Sequence, residues 1–242
     1  MPNLRLLPFA IADGPANMAA DEAMLFSAEA GVASLRLYGW SPATLSLGYF
    51  QPVSARNVDD KFASLPWVRR PTGGATLVHD RELTYALALP AGSPWQDGET
   101  WMPRMHRIIA DALARFGVDA DAKQGDAHLL GPVLCFQQQT LGDLVCRGGK
   151  IVGSAQRKHR RCLLQHGSIL VEQSPHAPAL AGIRELTGVA VPIKALNAAI
   201  VERFLDATGW EIAKEAWTSV EEAAIATLER DKYRHPGWNE KR

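Results

Sequence analysis

Cysteine is scarce in this sequence, with three residues in 242: Cys135, Cys146 and Cys162. So small and odd a number builds no disulfide framework, and no CxxC pair or Cys/His cluster has zinc-site spacing. A reducing cytoplasm is the setting such a chain implies. An excess of either charge is also missing. With 26 Lys and Arg against 26 Asp and Glu, no global field draws the protein to nucleic acid or to an anionic membrane surface. The apolar run Leu6–Ala12 near the start is broken by Pro8 and preceded by one arginine. It makes a poor signal peptide and is far too short to span a bilayer, so it is expected as a strand. Repeats, low-complexity tracts and linker-like shifts are lacking as well, which leaves residues 1–242 as one expected domain.

What is present suffices for a substantial core, since 47% of the residues are hydrophobic. Asn17 is placed to cap a helix over Met18–Glu29, with Asp21 and Glu22 near its positive end and Gly31 beyond its close. Leu35–Tyr38 and Thr44–Gly48 read as strands about the turn Trp40-Ser41-Pro42, and Leu83–Leu89 as a strand stopped by Pro90. Residues 91–102 are turn-rich and are expected as a surface connection carrying Trp95 and Trp101. Met105, Ile108, Ile109, Ala112, Leu113 and Phe116 then recur at helical spacing up to Gly117, with His106 off the stripe and expected in solvent. Near the end, Leu196–Phe204 is helical in pattern, and Ser219 with Glu222 fits a capping box for a further helix. The mixture indicates an α+β domain.

Two segments concentrate chemistry. Arg69-Arg70-Pro71-Thr72-Gly73-Gly74 forms a tight, backbone-exposed loop whose amides suit an anion, ahead of the strand-like Ala75–His79. It lacks both the Gly-Lys-Ser/Thr ending of a Walker loop and the spacing of a dinucleotide fingerprint. The second segment runs from Cys135 to Leu170. There Gly148-Gly149 reads as a hairpin turn with Lys150 opening the return strand. Gly153-Ser154-Ala155 leaves room against the backbone, Arg157–Arg161 reads as a basic solvated loop, and His166-Gly167-Ser168 interrupts a later strand. Residues 118–132 are polar and glycine-punctuated, a flexible approach to Cys135. Cys135 between Leu134 and Phe136 fits either a small buried hydrophobe or a nucleophile whose thiolate Lys150 favours across the hairpin; Cys146 and Cys162 lie in strand-like runs as packing residues.

RRPTGGATLVHD resembles the arginine-glycine loop of the biotin/lipoate protein ligase superfamily, and GGKIVGSAQRK followed by LLQHGSIL is similar to the lysine and histidine-glycine motifs of its lipoate branch. NMAADEAML, LRLYGWSPATLSLGYFQ and KYRHPGWNEKR extend the likeness over nearly the whole chain. The pair Cys135-Phe136 before the hairpin most resembles the LipM type of octanoyltransferase, in which that cysteine carries the acyl group. The resemblance implies a mixed β-sheet packed by helices, of the superfamily's catalytic-domain type. It also implies octanoyl transfer from an acyl carrier protein through a Cys135 thioester to a lysine of a lipoyl domain, on a glycine-cleavage H protein or a dehydrogenase E2, with no cofactor or metal.

In that reading Cys135 and Lys150 are catalytic, with Arg70, Gly73, Gly74, His79, Gly153, Ser154, Ala155, His166 and Gly167 around the substrate. Amides near Gly73-Gly74 or Gly153-Ser154 would hold the carbonyl oxygen, and His79 or His166 would relay the amine's proton. Tyr38–Trp40 and Ser46–Tyr49 would approach the acyl tail, though Trp40 and Tyr49 fit equally as core aromatics. Two alternatives stand beside it. An ATP- and magnesium-dependent lipoate ligase would use Lys150 and the Arg70 loop on an acyl-adenylate, with Cys135 a bystander; the lack of an accessory region and the Cys-Phe placement count against it. A non-catalytic lipoyl-domain or acyl-binding protein would keep only the pocket. Gln137-Gln138-Gln139-Thr140 departs from the small, proline or aromatic residues usual after Cys-Phe and leaves carrier and acceptor preference open.

Overall fold

Residues that alternate between two apolar faces build one large mixed sheet, and helices close over both sides. The computed structural model describes residues 2–57, 60–125, 128–129 and 134–242. It begins with β1 (Asn3–Leu6), β2 (Ala10–Ala12), α1 (Gly14–Glu29), β3 (Ser34–Trp40), β4 (Thr44–Leu47), β5 (Trp67–Arg69), β6 (Leu77–His79) and β7 (Glu82–Leu89). There follow α2 (Trp101–Ala114), β8 (Asp121–Ala122), β9 (His128–Leu129), β10 (Gln138–Gln139), β11 (Leu144–Cys146), β12 (Gly149–His159) and β13 (Cys162–Leu170). The chain closes with α3 (Ile183–Thr187), α4 (Ile193–Thr208), β14 (Glu211–Lys214), α5 (Ser219–Leu228) and α6 (Pro236–Asn239).

The main sheet runs β14-β1-β3-β7-β13-β12-β11-β8, with β2 beside β3. β1 lies parallel to both β14 and β3. From β3 onward every neighbour is antiparallel. β7 is buried along its whole length, and its side chains divide as a central strand's must. Leu83, Tyr85, Leu87 and Leu89 join the core under α2 and α4, while Ala86 and Ala88 face α1. A small sheet, β5-β4-β6, stands apart and carries the arginine-glycine loop between β5 and β6. Among the described residues no helix is long and apolar enough to cross a membrane.

Several sequence expectations move once distant partners are seen. The Leu6–Ala12 run divides into β1 and β2 because Pro8 offers no N–H to a ladder. α1 starts earlier than Met18: Asp13 is the cap, accepting from the Ala16 amide at 3.0 Å, and Pro15 fits the first turn. Asn17 is buried inside the helix and donates to the carbonyls of Ala12 and Gly39. The basic stretch is not a loop. Arg157, Lys158 and His159 extend β12, and the turn falls on Arg160 and Arg161, at φ 47° and 69°. Arg157 pairs with Glu22, while His159 and Arg160 pair with Glu29, so α1 supplies the acids that draw this hairpin onto the sheet. The hairpin before it turns at Arg147-Gly148, one residue earlier than Gly148-Gly149. The capping box of α5 is Thr218 with Glu221, and Glu221 also takes both guanidinium arms of Arg5.

The connection at 91–100 is stapled where α2 begins. Trp101 is buried, stacks on Phe204 of α4 at 5.8 Å, meets Trp210 at 5.3 Å and donates to the Trp95 carbonyl at 2.7 Å. Phe204→Ala should lower the free energy of unfolding by about 3–5 kcal/mol in a urea titration, as emptying a close-packed aromatic site does.

Candidate active site

The two loaded segments meet through the backbone. Thr76, at the end of the glycine loop, forms a parallel bridge with Leu134, and the Cys135 amide donates to the Thr76 carbonyl at 2.7 Å. Cys135 opens a single 3-10 turn, Cys135–Gln137, and stays half-buried, whereas Cys146 and Cys162 are buried. Part of the 118–132 approach lies outside the described residues. Ten of the eleven candidate residues, namely Arg70, Gly73, Gly74, His79, Cys135, Gly153, Ser154, Ala155, His166 and Gly167, line one cleft. It holds about 450 Å³ of empty space counted to its mouth. Met18, Tyr38, Trp40, Leu77 and Phe136 make its walls largely apolar; Tyr49 instead packs against Phe50 and Trp238.

The eleventh candidate, Lys150, lies against Cys135. Its ammonium donates to Asp143 Oδ2 at 2.7 Å, the Gln138 carbonyl at 3.2 Å and the Cys135 carbonyl at 3.3 Å, with the Cys135 Sγ at 3.9 Å. Those three oxygens use its three hydrogens, so its effect on the sulfur is that of a buried charge close by. The glutamine run has a structural use here. Gln137 Oε1 accepts from the Leu134 amide, Gln139 reaches the Gly148 carbonyl, and Thr140 holds Asp143 Oδ2.

The glycines clear space for the protein's own side chains. A Cβ on Gly153 would fall 2.7 Å from Lys150 Cε and 3.0 Å from its Nζ; one on Gly167 would fall 2.2 Å from Ser154 Oγ. At Gly48 it would meet the Gly74 carbonyl oxygen at 1.9 Å. The arginines of the loop face inward rather than toward an anion. Arg70 is buried and donates to the carbonyls of Ser46, Gly73 and Ala75 and to the Ser46 hydroxyl, with burial lowering its pKa against the attraction of Cys135 and Glu82. Arg69 braces the carbonyls of Gly48 and Gln51. It is itself gripped by Asn239, whose Oδ1 and carbonyl accept from its amide and Nε, and by Trp238, which donates to its carbonyl.

His79 and His166 both reach the cleft, each with both ring nitrogens engaged. His79 stacks on Trp40 at 3.8 Å and bonds Glu82 Oε1 at 2.8 Å and Ser46 Oγ at 2.7 Å. His166 bonds Asp21 Oδ2 at 2.9 Å and Thr72 Oγ1 at 2.7 Å. His106, expected in solvent, is buried. Its Nδ1 faces the Gly142 carbonyl and its Nε2 faces Ser154 Oγ, both at 2.6 Å. Asp143, Asp21 and Glu82 complete the polar frame. The partners of Asp21, namely Arg36, Tyr38 and His166, are all distant in sequence, whereas Glu82 and Asp143 also meet close neighbours, His79 and Thr84 for the one and Thr140 for the other. Among the described residues no three His, Cys, Asp or Glu side chains gather as a metal site.

Fold and site define an α+β domain with a cysteine and a lysine together at an apolar cleft. The family model of the lipoyl protein ligase A/B catalytic domain matches residues 13–204, and the chain belongs to that family. Octanoyltransferase LipM of Kyrpidia tusciae is 33% identical over 99% of this chain and 99% of its own length. The LipM of Geobacillus kaustophilus is 32% identical over 93% and 94%. Among solved structures, Ta0514 of T. acidophilum with bound lipoic acid superposes with a TM-score of 0.82 at 23% identity, covering 99% of this chain and all 100% of that one. Lipoate-protein ligase A bound with ATP gives 0.80 at 23% identity, covering 99% of each chain. At these identities the structural likeness shows the fold.

Two outcomes follow from the geometry. Gly153→Ala pushes the Lys150 ammonium off Cys135 and should slow alkylation of Cys135 by iodoacetamide about 3–10-fold, with thiolate chemistry losing its nearby cation. Burial, the largest influence, holds His79 and His106 below the ordinary imidazole pKa. The native rings refuse a proton that the unfolded chain accepts, so stability is full above about pH 6.5 and falls as the pH drops below it. The urea midpoint should therefore be lower at about pH 5.5 than at about pH 7.5, and His106→Gln should shrink the difference.

Proposed function

We propose that this protein is an octanoyltransferase of lipoate assembly that works through a Cys135 thioester. The observation that carries the reading is the Lys150 ammonium 3.9 Å from the Cys135 sulfur, in the wall of an apolar cleft. The Cys135 thiolate adds to the octanoyl thioester of an acyl carrier protein. A new C–S bond forms, the bond to the carrier's phosphopantetheine sulfur breaks, and that sulfur leaves and takes up a proton. Lys150 and backbone amides stabilise the charge that develops on the carbonyl oxygen. The ladder between β11 and β12 ends at the Leu144–Val152 pair, so among the described residues no strand pairs with β12 on that side from Gly153 onward; alternate amides there are one source of donors, and the loop at Gly73-Gly74 is the other.

The ε-amine of a lipoyl-domain lysine then attacks the octanoyl-enzyme; a C–N bond forms and Cys135 is released. The octanoyl chain lies along Met18, Leu77, Phe136 and Ala155. Acceptors are lipoyl domains of the glycine-cleavage H protein or dehydrogenase E2 type. The reaction balances without ATP, magnesium or another cofactor, and a reducing cytoplasm keeps Cys135 as a thiol.

Intact mass after incubation with octanoyl-loaded acyl carrier protein and no ATP tests this. Wild type should gain a hydroxylamine-sensitive octanoyl adduct and Cys135→Ser should gain none. Lipoyl-domain modification that needs ATP with free lipoate or octanoate, and that proceeds equally in both proteins, would make the protein a ligase and Cys135 structural. Acyl binding without transfer in either assay would make it a binding protein.

A further inference from the structure

Beside the arginine-glycine loop, cations gather with too few acids to answer them. Phe50 is exposed against this loop, its ring 3.8 Å from where a Cβ on Gly73 would stand, and Tyr49 meets it edge-on at 4.9 Å. The Lys241 ammonium lies 3.6 Å from the Tyr49 ring and 3.3 Å from the Trp238 ring. The Arg242 guanidinium is 5.0 Å from Tyr49 and 5.5 Å from Phe50. Lys232 covers Trp238 at 3.9 Å, and Arg69 lies buried behind, giving its hydrogens to carbonyls while its Nη2 has no partner. Among the described residues no carboxylate side chain pairs with Arg69, Lys241 or Arg242, and Glu22 alone answers both Lys232 and Arg157. Glu240 lines a different groove, with Asp13 and Arg234. The rings hold these cations in place without neutralising them. Burial and then the charge of Arg242 lower the Arg69 pKa; the Tyr49 phenol is lowered too, first by its hydrogen bond with Arg242 and then by the Lys241 charge. Like charges left together repel, and a bound anion relieves that repulsion.

We propose that Lys241 and Arg242, on the platform of Tyr49 and Trp238, form an anion site that receives the phosphodiester of the carrier's phosphopantetheine arm. The inference rests on the thioester reading above. That arm carries its thioester at one end and a single negative charge at the other, where the phosphodiester joins the carrier. With the thioester at Cys135 the charged end lies outside the cleft, and the patch is tied to the nucleophile through a short series of contacts. The Cys135 amide bonds the Thr76 carbonyl, Thr76 Oγ1 accepts from Gln51 Nε2 at 3.0 Å, and Gln51 follows Tyr49-Phe50 directly. A guanidinium fork and an ammonium suit the two unesterified phosphate oxygens. The acceptor brings the opposite sign, because a free lysine side chain arrives as a cation that the same field repels. The patch therefore serves the donor.

Three donors test it: octanoyl-loaded carrier, octanoyl-pantetheine, and octanoyl-pantetheine closed by a methyl phosphodiester where the carrier would be. Formation of octanoyl-enzyme is followed by intact mass. Wild type should be acylated by the diester about 10–100-fold faster than by the uncharged donor at low concentration, the worth of one charge-assisted hydrogen bond. Raising the salt from about 50 to about 300 mM should erode that preference. Lys241→Ala combined with Arg242→Ala should bring the ratio of the two small donors near one and slow acylation by loaded carrier, whereas Lys241→Arg with Arg242→Lys should keep most of the ratio. A wild-type ratio near one, a ratio that the alanine pair leaves intact, or one that the charge-preserving pair loses as fully overturns the proposal. Isolated octanoyl-enzyme is then mixed with a lipoyl domain. If the alanine pair slows amide formation as much as it slows acylation, the patch belongs to the acceptor and the proposal falls. Wild type that takes no octanoyl group from loaded carrier sinks the thioester reading and this one with it, whereas acylation from loaded carrier with no preference for the diester sinks this one alone.

Discussion

A carboxylate shut away from water has to be compensated by the groups around it, and Asp21 holds that position in this fold. Fully buried in α1, it accepts from Arg36 and Tyr38 of β3 and from His166 of β13. Through His166 the constraint passes to Thr72 in the arginine-glycine loop. One anion thus fixes the distances between a helix, two strands and the loop. The Tyr38 hydroxyl is held in its neutral, donating form by burial and by the Asp21 charge. Glu82 repeats the arrangement nearby, gathering His79, Thr84 and Ser168 on one oxygen. Both histidines of the cleft are thereby oriented by buried acids, which is costly to disrupt because removing either partner strands the other without solvent.

Against that polar frame the glycines act by subtraction. Gly153 admits the Lys150 side chain, Gly167 admits Ser154 beside Tyr85, and Gly48 admits the Gly74 carbonyl. Small residues near a site are easily read as room for a ligand. Here they first make room for the protein's own cation, hydroxyl and backbone, and the ligand receives what remains.

What the sequence disclosed follows the range of the forces involved. That the arginine-glycine loop and the cysteine-lysine segment concentrate the chemistry was legible, because glycine turns, flanking strands and cations declare themselves within a few residues; the bridge from Thr76 to Leu134 that joins them was not. So were the strand at Leu83–Leu89 and the helix around Met105–Phe116. The start of α1 was missed because Asp13 and Asn17 are both good caps by residue type, and only the carbonyls of Ala12 and Gly39 draw Asn17 inside. The Arg157–Arg161 stretch read as solvated because its acids, Glu22 and Glu29, lie on α1 far back in the chain. His106 was misplaced for the same reason, since nothing beside it in sequence foretells Gly142 and Ser154. Burial of a polar side chain is decided by its partners, and those partners were not local.

The grip of Asn239 and Trp238 on Arg69 joins residues about 170 positions apart. During vectorial synthesis the first two hundred residues can pair and collapse well before that contact is available. The base of the arginine-glycine loop is therefore among the last parts of the molecule to be secured, and a nascent chain that has already made Cys135 carries it beside an unfinished cleft until the Trp238–Asn239 segment arrives. Arrival of the Trp238–Asn239 segment, and not closure of the main sheet, is the event that secures that base.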